Sequence, residues 1–174
     1  MGLIRAISKT ARGWNDFETR ASRSEYWWGV LTVLVLVFCV QSAVLALFAI
    51  THGPTFNATG TLTEANPGIL LALNLSIALI CFFLLPLTAR RFKDHGWQGS
   101  WFSWMRWPAY ALLIVSVVAI GLSFLGNIET ATSLSFVGFA LAFPPYASVI
   151  WCFWIGFVRP EPGLNAFGPN PSEV

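Results

Sequence analysis

Four long stretches without a charged side chain constrain this chain more than any other feature. They cover residues 26–50, 68–89, 107–126 and 134–158. A helix needs roughly 20 residues, at about 1.5 Å each, to cross a hydrocarbon core of about 30 Å. Each stretch is long enough, so the sequence predicts a single-domain, all-α membrane protein with four transmembrane helices.

The composition excludes a soluble domain and a nucleic-acid-binding protein. Charged residues make up 10% of the chain and hydrophobic residues 56%, whereas soluble domains are about 25% charged. The first apolar stretch exceeds the roughly 7–15 residues of a secretory signal, so we expect it to be retained as a span. A formal net charge of +2 gives no electrostatic footprint for nucleic acid, and we predict no such partner.

The positions of the basic residues predict the orientation. Five of the ten precede the first apolar stretch, four lie between the second and third, and one follows the fourth. The other two connections contain none. By the positive-inside rule, both termini and the central connection are predicted to be cytoplasmic. All nine tryptophans also lie at or near that side, which makes it the chemically elaborate face.

The two ends of the chain differ in their predicted structure. Residues 1–25 form a predicted cytoplasmic segment that opens with a short amphipathic pattern. Its apolar positions are Leu3, Ile7, Ala11 and Trp14, and its basic positions are Arg5, Lys9 and Arg12. This pattern predicts an interfacial helix, with a frayed tail that carries topogenic charge as the alternative. Residues 159–174 are rich in Pro and Gly and predict a cytoplasmic tail with a turn and a loose end.

The central connection, residues 90–106, is predicted to be a cytoplasmic loop rich in basic and Trp residues. Arg90 and Arg91 precede Asp94 at helical spacing, and residues 20–28 form a second mixed set before the first span. We expect the two sets to meet. The predicted binding cluster comprises Arg20, Arg23, Glu25, Tyr26, Arg90, Arg91, Asp94 and Trp97. Two interpretations stay open: a pocket for an anionic headgroup or phosphate, or a structural lock between helix ends.

The sequence contains no motif that indicates a catalytic site or a metal site. Cys39, Cys81 and Cys152 all lie inside apolar stretches without metal-ligand spacing, which indicates small buried hydrophobes. His95 precedes Gly96, which is expected to end a helix, and a solvated or capping histidine is the simpler interpretation. We predict no catalytic residue, no metal and no cofactor.

Two polar side chains inside the apolar stretches raise a transport alternative. Gln41 and Asn74 both fall toward the outer side and are expected to hydrogen-bond to each other. Pro144-Pro145 is expected to kink or locally unwind the fourth span. A small transporter or channel would need a polar path near these residues. No ionisable side chain lies inside a span, and this disfavours ion-coupled transport.

Three motifs carry a family resemblance. They are Arg20-Ala-Ser-Arg-Ser-Glu-Tyr-Trp-Trp28, Arg90-Arg-Phe-Lys-Asp-His-Gly-Trp97 and Gly163-Leu-Asn-Ala-Phe-Gly-Pro-Asn-Pro171. In this order they resemble the domain-of-unknown-function 805 family of small bacterial inner-membrane proteins. Departures from the residues common in that family occur at Thr19, Phe92, Lys93 and His95. The resemblance implies a multi-pass, four-helix protein of the bacterial inner membrane whose biochemical role is not established.

These observations favour a non-enzymatic membrane protein. Its cytoplasmic face is expected to bind anionic lipid headgroups or a membrane protein partner. The transporter or channel is the first alternative. The second is a lipid-modifying enzyme, which would have to use Asp94 with His95, or Glu25 with an arginine, as its catalytic pair.

Overall fold

The computed structural model describes residues 4, 8, 11–13, 15–53, 68–151, 153–159, 163 and 165–167. Four helices dominate this part of the chain: α1 (Arg23–His52), α2 (Gly68–Lys93), α3 (Trp101–Phe124) and α4 (Ile128–Trp151). A short 3₁₀ turn, Phe153–Gly156, follows α4. All four helices are long and apolar enough to cross a membrane, which confirms the all-α, four-span prediction.

Helix α1 begins before the predicted span because a local cap stabilises its first turn. Ser22 is the N-cap residue, and its hydroxyl accepts a hydrogen bond of 3.2 Å from the backbone N–H of Glu25. A serine followed three residues later by a glutamate is a helix-start signature. The acidic Glu25 also lies at the positive end of the helix dipole. The helix therefore includes charged residues that an apolar-stretch criterion leaves out.

The predicted central loop is largely helical. Helix α2 continues through Arg90 to Lys93, and α3 already begins at Trp101, so only residues 94–100 connect the two. Because α3 begins before the predicted third span, Pro108 lies inside this helix and not in its first turn. A hydropathy criterion ends a span at the first charged residue. Charged residues nevertheless continue a helix readily when their side chains find partners.

Helix α4 also starts early and stays continuous. It begins at Ile128 instead of Leu134, and the Asn127 side chain accepts from the backbone N–H of Thr130 at 3.4 Å. Gly126, at φ 83°, turns the chain between α3 and α4. The helix continues through Pro144 and Pro145, so the locally unwound alternative is wrong. The Ser148 hydroxyl bonds to the Pro144 carbonyl at 2.8 Å, a side-chain contact of the kind that supports membrane helices around proline.

Helix α2 is the centre of the bundle. It packs against each of the other three helices, and it is the most buried of the four. Because neighbouring helices are antiparallel, the starts of α1 and α3 and the ends of α2 and α4 lie together. We call this the charged end of the bundle. From Leu84 to Asp94 every residue of the α2 terminus is buried, so other parts of the chain must surround it there.

Gln41 and Asn74 do not pair with each other in the bundle. Gln41 accepts a hydrogen bond of 3.2 Å from the hydroxyl of Ser76 on α2. Asn74 donates to the backbone carbonyl of Ser135 on α4 at 2.6 Å. A Cβ on Gly138 would lie only 2.8 Å from the Asn74 amide, so α2 and α4 approach closely here. The expected hydrogen bond is wrong because Gln41 pairs with Ser76 and Asn74 reaches across to α4 instead.

The predicted interfacial helix over residues 1–14 and the loose end of the tail lie largely outside the described residues. Ile4, Ser8, Ala11 and Arg12 are described and helical.

Candidate functional site

The site is built around the last turn of α2. A helix C-terminus carries partial negative charge and favours basic side chains, and α2 ends with Arg90, Arg91 and Lys93. Backbone N–H groups of His95 and Gly96 close two tight turns onto the carbonyls of Phe92 and Lys93, at 3.0 Å each. Gly96 has φ 73°, the left-handed conformation that commonly ends a helix. The expectation that Gly96 stops the helix is met.

Asp94 is the first of two buried carboxylates in the site. Its Oδ1 accepts from Arg20, with Nε at 3.0 Å and Nη2 at 2.9 Å. Its Oδ2 forms a short ion pair with Nη1 of Arg91. The three side chains are almost fully excluded from solvent. One carboxylate thus joins the segment before α1 to the end of α2.

Glu25 is the second buried carboxylate, and Arg90 is its partner. Nη2 of Arg90 forms a short ion pair with Oε1 of Glu25, and Nε donates to the Thr19 hydroxyl at 2.9 Å. Asp16 lies slightly farther away, with its Oδ2 3.7 Å from Arg90 Nε. The ion pair connects the first turn of α1 to the last turn of α2, where the charges also complement both helix dipoles.

Backbone carbonyls complete the arrangement. Arg91 donates to the carbonyls of Ala21 and Val158, at 3.4 and 2.5 Å. Arg20 donates to the carbonyl of Gly163 at 3.2 Å. In the opposite direction, the Asn165 side-chain amide donates to the carbonyl of Lys93 at 3.1 Å. The segment before α1, the end of α2 and the tail therefore meet at one place, and they contain the three motifs that carry the family resemblance.

Five of the eight predicted cluster residues form the buried ionic core: Arg20, Glu25, Arg90, Arg91 and Asp94. Tyr26 is buried beside them, against Gly156 and the edge of Trp27. Arg23 is exposed, and within the described part of the chain it forms no ion pair. Trp97 lies away from the ionic core, packed against Phe92 and Trp154 at ring-centroid distances of 4.9 and 6.1 Å.

Three other members of the site carry no charge, so charge pairing could not predict them. Thr19, Gly163 and Asn165 contribute a hydroxyl, a carbonyl and an amide, which are ordinary features of loops. Lys93 pairs with Glu18 at 2.9 Å and lies 5.1 Å from the ring centroid of Phe167. The spacing Asp16-x-x-Thr19 was the one available sign, because aspartate side chains often accept from backbone two or three residues later.

Two titratable groups next to the ionic core, Asp16 and His95, have shifted pKa values. Burial alone would raise the pKa of Asp16, but hydrogen bonds from the Thr19 hydroxyl and two backbone N–H groups, together with Arg90, lower it. Burial lowers the pKa of His95, and the positive charge of Arg91 lowers it further against the opposing effect of Asp94. Asp16 is therefore a carboxylate and His95 a neutral imidazole at pH 7.

An open cavity of about 350 Å³ adjoins the ionic core. The described residues that line it are Arg12, Gly13, Asp16, Thr19, Arg20 and Arg90. A second cavity, of about 240 Å³, is lined by Lys93, Phe167 and Ser103 among others. Within the described residues, no group of three His, Cys, Asp or Glu side chains is arranged to hold a metal ion.

Comparison with known proteins supports one assignment. No curated protein matches the chain, and no solved structure does. One family matches, described as "Protein of unknown function (DUF805)", over residues 14–169. That range includes all four helices and every described member of the ionic core. Its four apolar helices fit a multi-pass integral membrane protein, and the chain belongs to the DUF805 family.

Proposed function

We propose that this protein is a non-enzymatic, multi-pass protein of the bacterial inner membrane, oriented with its charged end in the cytoplasm. Its ionic core, formed by Arg20, Glu25, Arg90, Arg91 and Asp94, acts as a lock that holds the cytoplasmic helix ends together. The locked face is the surface that meets anionic lipid headgroups. The distribution of all ten basic residues supports this orientation.

The convergence of three chain segments on α2 carries the proposal. The single side chain of Arg91 contacts Asp94, the Ala21 carbonyl and the Val158 carbonyl. A buried charge is tolerated when it is paired and hydrogen-bonded, and both Nη groups of Arg91 meet this condition, whereas its Nε has no partner within the described residues. Removal of one partner leaves an uncompensated charge, so such a network favours a single arrangement of the helix ends. This is the behaviour expected of a lock.

The engagement of the carboxylates supports a non-enzymatic role. A general base needs a free lone pair within reach of a substrate proton. Asp94 binds two guanidinium groups and Glu25 binds Arg90, so both side chains are committed to structure. The catalytic pairs considered from the sequence, Asp94 with His95 and Glu25 with an arginine, therefore have little chemical basis.

The transporter alternative has less support than the lock. Gln41 and Asn74 each form a hydrogen bond to a neighbouring helix, which is the common role of amides inside helical membrane proteins. The chain around Pro144 and Pro145 remains helical, whereas transporter sites typically use broken helices.

Cysteine accessibility tests the proposed orientation. In a variant with Cys39, Cys81 and Cys152 replaced by Ala, Gln98→Cys probes the α2–α3 connection and Asn127→Cys probes the α3–α4 turn. Both native side chains are exposed. The cells are first treated so that the reagent passes the outer membrane while the inner membrane stays intact. A membrane-impermeant maleimide should then label Asn127→Cys. It should label Gln98→Cys only after the inner membrane has been permeabilised. The reverse pattern would overturn the orientation.

A further inference from the structure

One face of helix α1 lies uncovered by the rest of the described chain. Helix α1 is the least buried of the four membrane-spanning helices, because it packs mainly on α2. Leu31, Leu34 and Phe38 on this face are exposed, and Phe38 is 72% accessible. Apolar side chains at such positions can simply contact lipid tails. The polar side chain of Gln41 lies on the same face and has a different requirement.

The Gln41 carboxamide is only partly satisfied within one copy of the chain. Its Oε1 accepts from the Ser76 hydroxyl at 3.2 Å, and its Nε2 donates to no group among the described residues. The side chain is half-exposed, so this nitrogen faces the surroundings of the bundle. Gln41 lies about 13 Å along the helix from Ile50, inside a hydrocarbon core of about 30 Å. Lipid tails offer no acceptor there, and an amide N–H without one is costly.

Gln41 belongs to a row of residues that recur at alternating steps of three and four along α1. We call this row the α1 seam, and its members are Leu31, Leu34, Phe38, Gln41 and Leu45. An average step of 3.5 residues is the pattern with which helices pack in a left-handed coiled coil. The seam is about 21 Å long.

The α1 seam has an end in each direction where the same chain covers the next position. Trp27 packs against the rings of Phe153 and Phe157, at centroid distances of 5.1 and 4.6 Å. Phe48 is fully buried in the bundle. The seam is therefore a bounded surface, as long as about four helical turns, with one polar side chain in its outer half.

A second copy of the chain fits this surface. Copies that insert with the same orientation are related by a two-fold axis along the membrane normal, and residues close to such an axis face their own counterparts at the same depth. Gln41 then faces Gln41. A carboxamide contains both donors and an acceptor with two lone pairs, so each side chain can donate to the other and keep its bond from Ser76. A single polar residue in a coiled-coil seam also fixes the register of the helices.

We propose that the protein forms a parallel homodimer in the membrane through the α1 seam, with reciprocal hydrogen bonds between the two Gln41 carboxamides. The inference goes beyond the proposed function and does not depend on the lock, which lies at the charged end of the bundle. Each copy uses the same face, so the assembly closes at two copies. Both unused amide donors find acceptors within that dimer.

Disulfide formation in membranes tests the interface with the full chain. Two copies with different epitope tags are co-expressed, each with Cys39, Cys81 and Cys152 replaced by Ala. Leu34→Cys places a thiol on the α1 seam, and Leu36→Cys is the matched control, because Leu36 is also exposed at nearly the same depth but lies about 200° around the helix. Under mild copper-phenanthroline oxidation, Leu34→Cys should link the two tagged copies at least about fivefold faster than Leu36→Cys, since a disulfide requires Cα atoms within about 7 Å.

The contribution of Gln41 is measured in the Leu34→Cys chain. Gln41→Leu should lower the initial rate of cross-linking about tenfold, the effect of losing two hydrogen bonds inside a membrane. Ser76→Ala is its control, because it removes the bond within one copy and leaves the carboxamide on the seam. It should change the rate by less than about twofold.

Four results would overturn the dimer. They are equal rates for Leu34→Cys and Leu36→Cys, no link between the two tagged copies, a link from Leu34→Cys to a different protein, and a rate that Gln41→Leu leaves unchanged. Equal losses from Gln41→Leu and Ser76→Ala would also count against it, because they would assign the effect to packing within one copy. None of these results bears on the lock or on the orientation, which unfolding and maleimide labelling test separately.

Discussion

At the scale of single residues, Asp94 has the most demanding position in the molecule. It neutralises Arg20 and Arg91 at once, and all three side chains are buried. Ion pairs of this kind contribute little net stability relative to an apolar replacement, because both charges lose their hydration. Loss of one member of the ion pair is destabilising, because the remaining charge is still desolvated and no longer has its counter-charge.

Asp94→Asn should therefore destabilise the protein by about 3–5 kcal/mol in the free energy of unfolding. The substitution preserves the shape of the side chain but leaves two buried arginines without their shared counter-charge. Glu18→Gln is the matched control, because Glu18 also pairs with a basic residue of α2 but its side chain is 87% exposed. It should cost less than about 1 kcal/mol. Unfolding in detergent with increasing dodecyl sulfate measures both, and similar losses would contradict the lock.

His95 should make stability depend on pH below about 7. Its pKa in the folded protein is lowered by burial and by Arg91, whereas the unfolded chain has a value near 6.5. The unfolded state then binds more protons in this range, so stability is complete above about pH 6.5 and falls as the pH drops through the folded-state pKa. Asp16, with its lowered pKa, stays ionised throughout.

The His95→Gln variant provides the comparison for this pH effect. The wild-type melting temperature in detergent should fall between pH 7.5 and 5, and the fall should be smaller in the variant. Parallel curves for the two proteins would show that protonation of His95 does not oppose folding.

The residues that form the lock could be predicted from the sequence only where charge reveals them. Arg90, Arg91 and Asp94 share a helical spacing, and Arg20 and Glu25 flank the other helix start, so their meeting could be expected. Trp97 shares a motif with them, but the turn at Gly96 directs the chain away from the ionic core. Gly163 and Asn165 belong to the third motif, but their contacts could not be predicted, because a backbone carbonyl and a neutral amide carry no charge that would indicate a partner.

At the scale of the helices, hydropathy predicted that four helices exist but not the length of each helix. Helix α2 continues to Lys93 because the polar side chains of its last turn are satisfied by other segments, a tertiary effect that hydropathy does not contain. Helix α3 starts at Trp101 for a similar reason, since Phe102 in its first turn is fully buried in the core. Tertiary contacts, and not intrinsic preference, decide where these helices end.

Helix packing gives a prediction at Gly138, where α4 meets Asn74 of α2. A Cβ there would approach the Asn74 amide to 2.8 Å, closer than packed atoms allow. Asn74 is buried and bound to Ser135, so it cannot move aside without losing that hydrogen bond. Gly138→Ala should therefore destabilise the bundle by about 1–3 kcal/mol.

Gly121→Ala on α3 is the matched control for Gly138. It is also a helical glycine, but its Cβ would meet nothing within 4 Å. There the higher helix propensity of alanine should leave stability unchanged or raise it by up to about 1 kcal/mol. The same unfolding assay compares the two variants, and a neutral Gly138→Ala would mean that α2 and α4 are not in close contact at this level.

At the scale of the whole molecule, the bilayer and the lock perform different tasks. The bilayer fixes each apolar helix across the membrane, but lipid tails are as apolar as leucine and give helices no hydrophobic reason to associate. Association depends on packing and on polar contacts between helices. The lock joins α1 to α2 at the charged end, where Glu25 and Arg90 form their ion pair and Ala21 N–H donates to the Arg90 carbonyl at 3.2 Å.

A chain divided between α1 and α2 tests this division of tasks. Co-expressed fragments 1–60 and 61–174 should each insert and should co-purify in mild detergent, because the lock and the α1–α2 packing rejoin them. Asp94→Asn in the second fragment should reduce recovery of the first several-fold, since the ion pair between Arg20 and the Asp94 carboxylate across the cut is then lost. Glu18→Gln in the first fragment should leave recovery nearly unchanged. Equal recovery of all three pairs would show that apolar packing alone assembles the bundle and that the ionic core does not join its halves.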